Sequence, residues 1–292
     1  MIMKLWELLW RSDLKEKFVI QKFLCHFLWC SREELWLDMD KDLSDELIQK
    51  VLVAYKSYVE DKKPLEFILG HVDFFGKEFF VNEATLIPRP ETEYMITAVT
   101  EHIHSLKPEA WSLKQNLLLD IWTGCGVLWI SVLLQNPDYF SEAVFSDYFE
   151  NALEIAKKNY EKLITDYSWK VHFFYADLLD FLIRWISELP DGNTVLVANL
   201  PYIPEDMFES NVADNVKKRE PKPAFVWWDD WLDYYRKMFE QLFVLQAKKL
   251  VMFLEMMTWQ VDILRQEFGD KMEFEEVKTF HFNIRIVKAW LK

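Results

Sequence analysis

The stretch Leu117-Leu-Leu-Asp-Ile-Trp-Thr-Gly-Cys-Gly126 decides the fold of this chain. Its aliphatic residues predict a buried strand, Gly124 and Gly126 predict a tight turn, and the apolar run 127–134 predicts a helix. Strand, glycine turn and helix in this order hold a nucleotide at the carboxyl end of a parallel strand. Trp122 departs from the pattern, because it stands where the first glycine of the turn is expected. The alternative is a turn that needs its glycines only for packing.

The composition contains few glycines and many tryptophans. The 292 residues include 6 Gly and 14 Trp, whereas average usage of roughly 7% Gly would give about 20 glycines. The two counts together make 20. One interpretation is drift toward a tryptophan-rich protein. The interpretation we favour is that UGA codons meaning glycine in the source gene have been read as tryptophan.

Charge and cysteine usage restrict the class of protein. The formal net charge is −14 and the pI is about 5.0, so direct nucleic-acid binding is disfavoured unless a local basic patch overrides the overall charge. Cys25, Cys30 and Cys125 lack metal-ligand spacing and indicate reduced thiols. Residues 1–18 carry charges every few residues, so we expect neither a signal peptide nor a membrane span there. We expect a cytoplasmic monomer.

Hydrophobic periodicity divides the chain into three parts. Residues 1–70 repeat apolar positions at spacings of three and four, which predicts a small helical bundle domain. Residues 71–86 predict a β-hairpin linker that turns at Gly76-Lys77. Residues 87–292 alternate strands with helices, which predicts an α/β domain with a doubly wound, Rossmann-like parallel sheet.

The α/β domain is expected to begin with a helix from about Pro90 to Ile103. Further helices are predicted over 150–163 and 178–189, and the last two strands are expected to form an antiparallel pair. The predicted strands are Leu117–Ile121, Ala143–Phe145, Val171–Phe174, Val195–Ala198, Leu250–Leu254, Phe274–Thr279 and Ile284–Leu291.

Acidic residues follow the next two predicted strands. Asp147 stands where a carboxylate can accept hydrogen bonds from both ribose hydroxyls of a nucleoside. The alternative is a cap for the helix that begins near Glu150. Asp177 stands where it can accept an adenine amino hydrogen, with Leu178 as an apolar neighbour of the ring. A solvated loop aspartate is the simpler alternative for Asp177 considered alone.

The most specific pattern is Asn199-Leu200-Pro201-Tyr202, directly after a predicted buried strand. A planar amide or amino nitrogen that receives a methyl group needs acceptors for its two N–H hydrogens. The Asn199 side-chain carbonyl and the Leu200 backbone carbonyl can supply them. Pro201 stiffens the loop, and Tyr202 offers a flat face for stacking. The alternative is a proline turn without a chemical role. The histidines lack metal spacing, so no metal is expected.

These motifs resemble those of the protein-(glutamine N5) methyltransferases that modify peptide chain release factors. The resemblance covers nearly the whole chain. It is carried by Pro64-Leu-Glu-Phe-Ile-Leu-Gly70, Leu86-Ile-Pro-Arg-Pro-Glu-Thr-Glu93, the glycine turn, the segment 151–159 and the Asn199–Tyr202 loop. It implies S-adenosylmethionine as methyl donor and the glutamine amide of the release-factor Gly-Gly-Gln loop as acceptor. It also implies that domain 1–70 docks that partner.

The resemblance assigns the site residues in three groups. Catalytic contacts are implied for Asn199, Pro201 and Tyr202. Cofactor contacts are implied for Asp120, Trp122, Thr123, Gly124, Cys125, Gly126, Asp147, Asp177, Leu178 and Asn199. Substrate contacts are implied for Asn199, Leu200, Pro201, Tyr202, Arg89 and Glu91.

Some positions depart from the family pattern. Leu200 replaces a usual proline, and the N-L-P-Y form is common in ribosomal RNA adenine dimethyltransferases, so the loop alone leaves the acceptor open. Met257 replaces a usual glycine, which looks like ordinary divergence. Trp129 stands where small residues are usual. The tryptophans that stand on family glycine positions are Trp122, Trp227, Trp228, Trp231 and, in the bundle, Trp29.

Two alternative functions follow from these departures. One is an adenine N6-methyltransferase that acts on nucleic acid. The other is a protein that binds release factors without catalysing methyl transfer, because its cofactor site is impaired.

Overall fold

The computed structural model describes residues 3–106, 115–165, 167, 169–185, 192–226, 231–245, 249–279 and 284–292. The chain forms two compact units, Met1–His71 with Ala213–Arg219, and Val72–Val212 with Glu220–Lys292. Within the described ranges, no helix is long and apolar enough to cross a bilayer. The same ranges contain no cluster of three or more His, Cys, Asp or Glu side chains that could hold a metal ion.

The N-terminal unit is a helical bundle around a core that includes Leu8, Phe23 and Val51, all fully buried. Ser31 and Glu34 start one helix with reciprocal hydrogen bonds of 3.1 and 2.7 Å, the arrangement of a capping box. The helices are α1 (Leu5–Leu9), α2 (Lys17–Leu28), α3 (Arg32–Leu37), α4 (Asp45–Val59) and α5 (Leu65–Leu69), and two short strands pair as β1 (Met3–Lys4) and β2 (Asp42–Leu43).

The predicted hairpin is present as β3 (His71–Phe74) and β4 (Lys77–Phe80), but its turn is Phe75-Gly76, one residue before the predicted Gly76-Lys77. Phe75 and Gly76 have φ of +47° and +71°, which is the backbone of a tight hairpin turn. Phe75 donates its N–H to the Glu93 carboxylate at 2.8 Å. The hairpin is thereby fixed to the first helix of the α/β domain.

The second unit is built on a seven-stranded sheet with the order β10-β11-β9-β8-β5-β6-β7. Its strands are β5 (Leu117–Ile121), β6 (Glu142–Asp147), β7 (Lys170–Tyr175), β8 (Thr194–Ala198), β9 (Leu250–Met257), β10 (Met272–Thr279) and β11 (Ile284–Leu291). Strands β5 to β9 are parallel, and β10 and β11 pair antiparallel at one edge. The predicted α/β fold class is confirmed.

The central strand β5 is buried along its whole length, which explains its continuous apolar run. The other helices are α6 (Glu93–Ser105), α7 (Val127–Gln135), α8 (Glu150–Leu163), α9 (Asp180–Trp185), α10 (Glu205–Asn211), α11 (Asp214–Arg219), α12 (Asp233–Leu245) and α13 (Thr258–Phe268), with 3₁₀ turns at Pro90–Thr92 and Lys222–Ala224. The short α11 belongs to the N-terminal unit.

Element boundaries differ from prediction at two helices. The helix predicted to begin near Pro90 starts with a 3₁₀ turn before α6, because the fixed φ of proline suits a first turn. The helix predicted from Leu178 starts instead at Asp180, since Leu178 has φ of +53° and cannot be helical. Residues 186–189 of that prediction lie outside the described residues.

Candidate active site

A cavity of about 200 Å³ lies at the carboxyl ends of β5, β6 and β8. Its opposite wall is the proline-rich segment that precedes α6. This is the edge at which parallel α/β sheets bind ligands. The predicted site residues that line the cavity are Arg89, Trp122, Thr123, Gly124, Cys125, Asp147 and Asn199. The predicted residues that are not in its wall are Asp120, Gly126, Asp177, Leu178, Leu200, Pro201, Tyr202 and Glu91.

The turn after β5 is held by hydrogen bonds of its own. Thr123 donates its hydroxyl to the buried Asp120 carboxylate at 2.9 Å, and Gly126 donates its N–H to the Thr123 carbonyl at 2.8 Å. Burial raises the pKa of Asp120 to about 8. Gly124 has φ of +56°, and no atom outside its two chain neighbours lies within 4 Å of the place a Cβ would take. Backbone is therefore exposed to the cavity at Gly124.

Asp147 ends β6 beside this turn. Its carboxylate accepts the N–H of Gly124 and the N–H of Phe149, both at 2.9 Å. Burial raises the pKa of Asp147 to about 6. The alternative of a helix cap is wrong, because the residue that caps α8 is Phe149 and that end has no side-chain cap. The Tyr148 N–H also hydrogen bonds to this carboxylate, and the remaining lone pair can accept a further donor.

Asp177 and Leu178 follow β7, away from the cavity wall. The Asp177 carboxylate forms an ion pair with Lys237 of α12. Leu178 is fully buried, and its carbonyl accepts the Ser146 hydroxyl at 3.3 Å. The alternative of a solvated loop aspartate does not describe Asp177, which is already paired with a cation.

The Asn199–Tyr202 loop leaves β8 and turns back into the protein. Leu200 is buried, so its side chain contributes packing and its carbonyl remains the group of chemical interest. Tyr202 donates its hydroxyl to Glu255 of β9 at 2.9 Å, and its carbonyl accepts the Gln260 amide at 3.0 Å. Burial raises the pKa of Tyr202 well above its usual value. These two hydrogen bonds attach the loop to β9 and α13.

Glu255 is a candidate site residue that the sequence motifs did not predict. It is 2% exposed, and its carboxylate accepts the Thr92 hydroxyl at 2.8 Å as well as that of Tyr202. Burial raises the pKa of Glu255, while hydrogen bonds from Thr92, Tyr202 and Asn199 oppose that rise. Its signal in the sequence is a single charge inside the apolar strand Leu250–Met257. Glu255 thus joins the proline-rich segment to the Asn199 loop.

A second buried carboxylate, Glu220, fixes the other end of the proline-rich segment. It accepts the Ile87 N–H at 3.0 Å and the Arg89 Nη2 at 2.7 Å. The Arg89 guanidinium also lies 6.0 Å from the ring centre of Phe225. Glu91 is partly buried on the neighbouring 3₁₀ turn. Arg89 therefore reaches the cavity with its charge already compensated.

Asn159 connects the segment 151–159 to the glycine turn. Its amide is fully buried in α8 and donates to the carbonyls of Phe80 and Cys125 at 2.9 and 2.8 Å. Its side-chain oxygen accepts the Phe80 N–H at 2.6 Å. One side chain thus ties the glycine turn to strand β4.

The fold is that of known methyltransferases. The N-terminal domain of human METTL16 is 15% identical, with 96% of this chain and 97% of that chain covered and a TM-score of 0.51. The human methyltransferase 10 domain containing protein is 18% identical, with 74% and 88% covered and a TM-score of 0.52. No protein-family model matches the chain. The seven-stranded sheet therefore has the Rossmann-like fold of these methyltransferases.

Sequence relatives identify the particular family. The release factor glutamine methyltransferase of Bacillus cereus is 35% identical over 79% of this chain and 76% of that protein. The Bacillus subtilis protein of the same name is 32% identical over 72% and 70%, and that of Francisella tularensis is 26% identical over 96% and 93%. The chain belongs to the release factor glutamine methyltransferase family.

Proposed function

We propose that this protein transfers a methyl group from S-adenosylmethionine to the side-chain amide of the glutamine in the Gly-Gly-Gln loop of peptide chain release factors. The observation that carries the proposal is the position of Asn199, which faces one cavity together with the glycine turn and Asp147. The relatives named as release factor glutamine methyltransferases support the acceptor.

The donor side of the cavity consists of the glycine turn and Asp147. Gly124 exposes backbone that a ligand can approach, and Asp147 offers carboxylate lone pairs to ribose hydroxyls. S-adenosylmethionine supplies an electrophilic methyl group attached to a sulfonium. These groups fit such a donor, whereas the indole of Trp122 in the same wall does not. Asp177 and Leu178 are proposed to border the adenine, with Lys237 holding the Asp177 carboxylate in place.

The acceptor side is the Asn199–Tyr202 loop. The Asn199 side-chain amide donates to the Glu255 carboxylate, so its carbonyl is available to the acceptor. That carbonyl and the Leu200 backbone carbonyl hold the two N–H hydrogens of the glutamine amide, so that its nitrogen faces the methyl group. Pro201 limits loop motion, and Tyr202 is proposed to flank the amide plane. Arg89 and Glu91 are proposed to contact the backbone of the acceptor loop.

Proton transfer needs no strongly basic side chain. The nitrogen bonds to the methyl group as the bond from methyl to sulfur breaks, and it becomes cationic. A cationic amide is a strong acid, so its proton is released to solvent as the product leaves the loop. The rate gain then comes from orientation and from exclusion of water around the reacting atoms.

The N-terminal unit is proposed to dock the release factor. It presents apolar side chains to solvent, among them Leu37 at 88% and Val53 at 67% exposure, and such side chains favour a protein partner. Val53→Asp should raise KM for release factor with kcat unchanged, whereas Val53→Ala serves as the matched control. We further propose that the protein is a cytoplasmic monomer; light scattering on the purified protein tests the oligomeric state.

The experiment that tests the activity is transfer of labelled methyl from S-adenosylmethionine to purified release factor. Label should appear on a release factor with Gly-Gly-Gln and be absent when that glutamine is replaced by alanine. Asn199→Ala should lower kcat strongly with a smaller effect on donor affinity. Full activity of that variant would refute its assigned role.

An adenine of nucleic acid is the second candidate acceptor, because the N-L-P-Y loop is common in ribosomal RNA adenine dimethyltransferases. The net charge of −14 and the pairing of Arg89 with Glu220 oppose it. Label on ribosomal RNA in place of release factor would establish this alternative. Donor binding without transfer to either acceptor would favour the non-catalytic binding protein.

A further inference from the structure

We infer that residues 29 and 122 are glycine in the natural protein, because its gene uses UGA as a glycine codon, and that an indole at position 122 obstructs the methyl-donor site. The part that concerns the donor site rests on the proposed function. The part that concerns residue identity does not, since it is read from backbone geometry and composition.

Trp29 is the first of the two positions. It ends α2 with φ of +54° and ψ of +44°, the left-handed conformation. The Cys30 N–H donates to the Cys25 carbonyl at 3.1 Å. This hydrogen bond is typical of helix ends at which glycine takes the left-handed position. At the end of α5 this same chain places Gly70, with φ of +78°. The Trp29 side chain is 90% exposed, so little packing compensates for its strained backbone.

Trp122 is the second position, and it lies in the cavity wall. Its φ is +61°, next to Gly124 at +56° and Gly126 at +84°. A bulky residue in this region is a genuine outlier, whereas glycine adopts it without steric cost. The turn therefore alternates through left-handed positions at 122, 124 and 126, and two of the three are glycine.

The Trp122 indole lies in the wall of the cavity that Asp147 also lines. It stacks on Tyr148 at 6.5 Å and meets Tyr234 edge-on at 5.0 Å between ring centres. The cavity that remains is about 200 Å³, below the roughly 300–1,000 Å³ of ordinary ligand sites. Glycine at 122 would remove the indole from the wall and enlarge the space in front of the Asp147 carboxylate.

Trp129 gives an independent sign of a residue too large for its place. Its ring centre is 3.4 Å from that of the Phe145 ring, closer than the 4.5–7 Å that aromatic pairs prefer. Its buried Nε1 has no hydrogen-bond partner among the described residues, a condition that native proteins avoid.

Positive φ alone does not identify a glycine. Lys62, Phe75 and Leu178 also have positive φ, and none of them is a tryptophan. Tryptophan is 14 of 292 residues in the sequence, yet it holds two of the five positive-φ positions that the described residues other than glycine occupy. Together with the low glycine count, the positive φ at 29 and 122 favours glycine as the natural residue at these two positions. Trp227 and Trp228 lie outside the described residues.

The identity test is peptide mass mapping of the protein isolated from the cells that carry its gene, together with the codons at 29 and 122. We expect UGA codons and glycine in both peptides. A UGG codon, or tryptophan in either peptide, would overturn the inference.

The functional test compares the chain that has tryptophan at 29 and 122 with the variants Trp122→Gly, Trp29→Gly and Trp36→Gly. Trp36 lies in helix α3 and serves as the control. Calorimetry with S-adenosylmethionine should show binding about tenfold to a hundredfold tighter for Trp122→Gly and unchanged for Trp29→Gly. The urea midpoint should rise for Trp29→Gly and fall for Trp36→Gly, since glycine destabilises a helix interior. Equal affinity of the tryptophan-containing chain and Trp122→Gly for S-adenosylmethionine would refute obstruction of the donor site. Absence of binding in every variant would refute the proposed donor and leave the mass mapping unaffected.

Discussion

Replacement of Glu255 by glutamine tests whether this buried carboxylate sets the orientation of Asn199. The carboxylate accepts hydrogen bonds from Thr92 at 2.8 Å, Tyr202 at 2.9 Å and Asn199. Glu255→Gln keeps the shape but turns one acceptor oxygen into a donor, so at least one of the three groups must reverse its hydrogen bond or lose its partner. A hydrogen bond to a charged group contributes about 1.5–3 kcal/mol.

That free energy corresponds to about a 10- to 150-fold smaller population of the productive Asn199 orientation. We expect kcat to fall by this factor, while the Kd for S-adenosylmethionine changes less than about threefold because Glu255 is outside the cavity wall. Glu93→Gln is the matched control, since Glu93 is a glutamate of the same unit that accepts only a hairpin N–H in the described contacts. Its kcat should stay near that of the parent.

The pH profile separates positioning from a purely structural role. Burial raises the pKa of Glu255, and the neutral acid accepts fewer hydrogen bonds than the carboxylate. Activity of the parent should therefore fall as pH is lowered through that pKa, and Glu255→Gln should lack this step. Parent-like kcat in Glu255→Gln, or an unchanged acid limb, would refute the assigned role.

Three further predictions concern other residues of the site. Asp147→Asn should weaken S-adenosylmethionine binding by about tenfold or more, since charge-assisted hydrogen bonds are lost; equal calorimetric affinity would contradict this. The pKa of Asp120 is raised from 3.8 to about 8, so its stabilising contribution is full below pH 4 and disappears as pH rises to 8. Urea unfolding should show this decline in the parent and not in Asp120→Asn. Asn159→Ala should lower the free energy of unfolding by about 3 kcal/mol, against a much smaller loss for the exposed Asn151→Ala; similar losses would argue against the bridging role.

The sheet was predictable from the sequence because its central strands are buried on both faces. Continuous apolar runs such as Leu117–Ile121 and Val195–Ala198 leave little choice of structure. The predictions failed at helix starts, where one left-handed residue, Leu178, changes the path of the chain. Local φ depends on tertiary contacts that a linear pattern does not contain.

The site was predictable only for residues in short motifs. The Asn199–Tyr202 loop and Asp147 follow strands directly, so strand order brings them together. Glu255 and Glu220 lie 53 and 131 residues from their partners Tyr202 and Arg89. Such contacts depend on sheet order and loop packing, and no spacing rule in the sequence expresses them.

The Asn159 side chain makes the glycine turn and the hairpin a single cooperative unit. The amide proton of Phe80, bonded to the Asn159 oxygen, can exchange with solvent only when that connection opens. A ligand that immobilises the turn at Cys125 should therefore slow deuterium uptake at Phe80, outside the cavity wall. Deuterium uptake in strand β4 would thus report whether a ligand is bound at the glycine turn, without any label in the site.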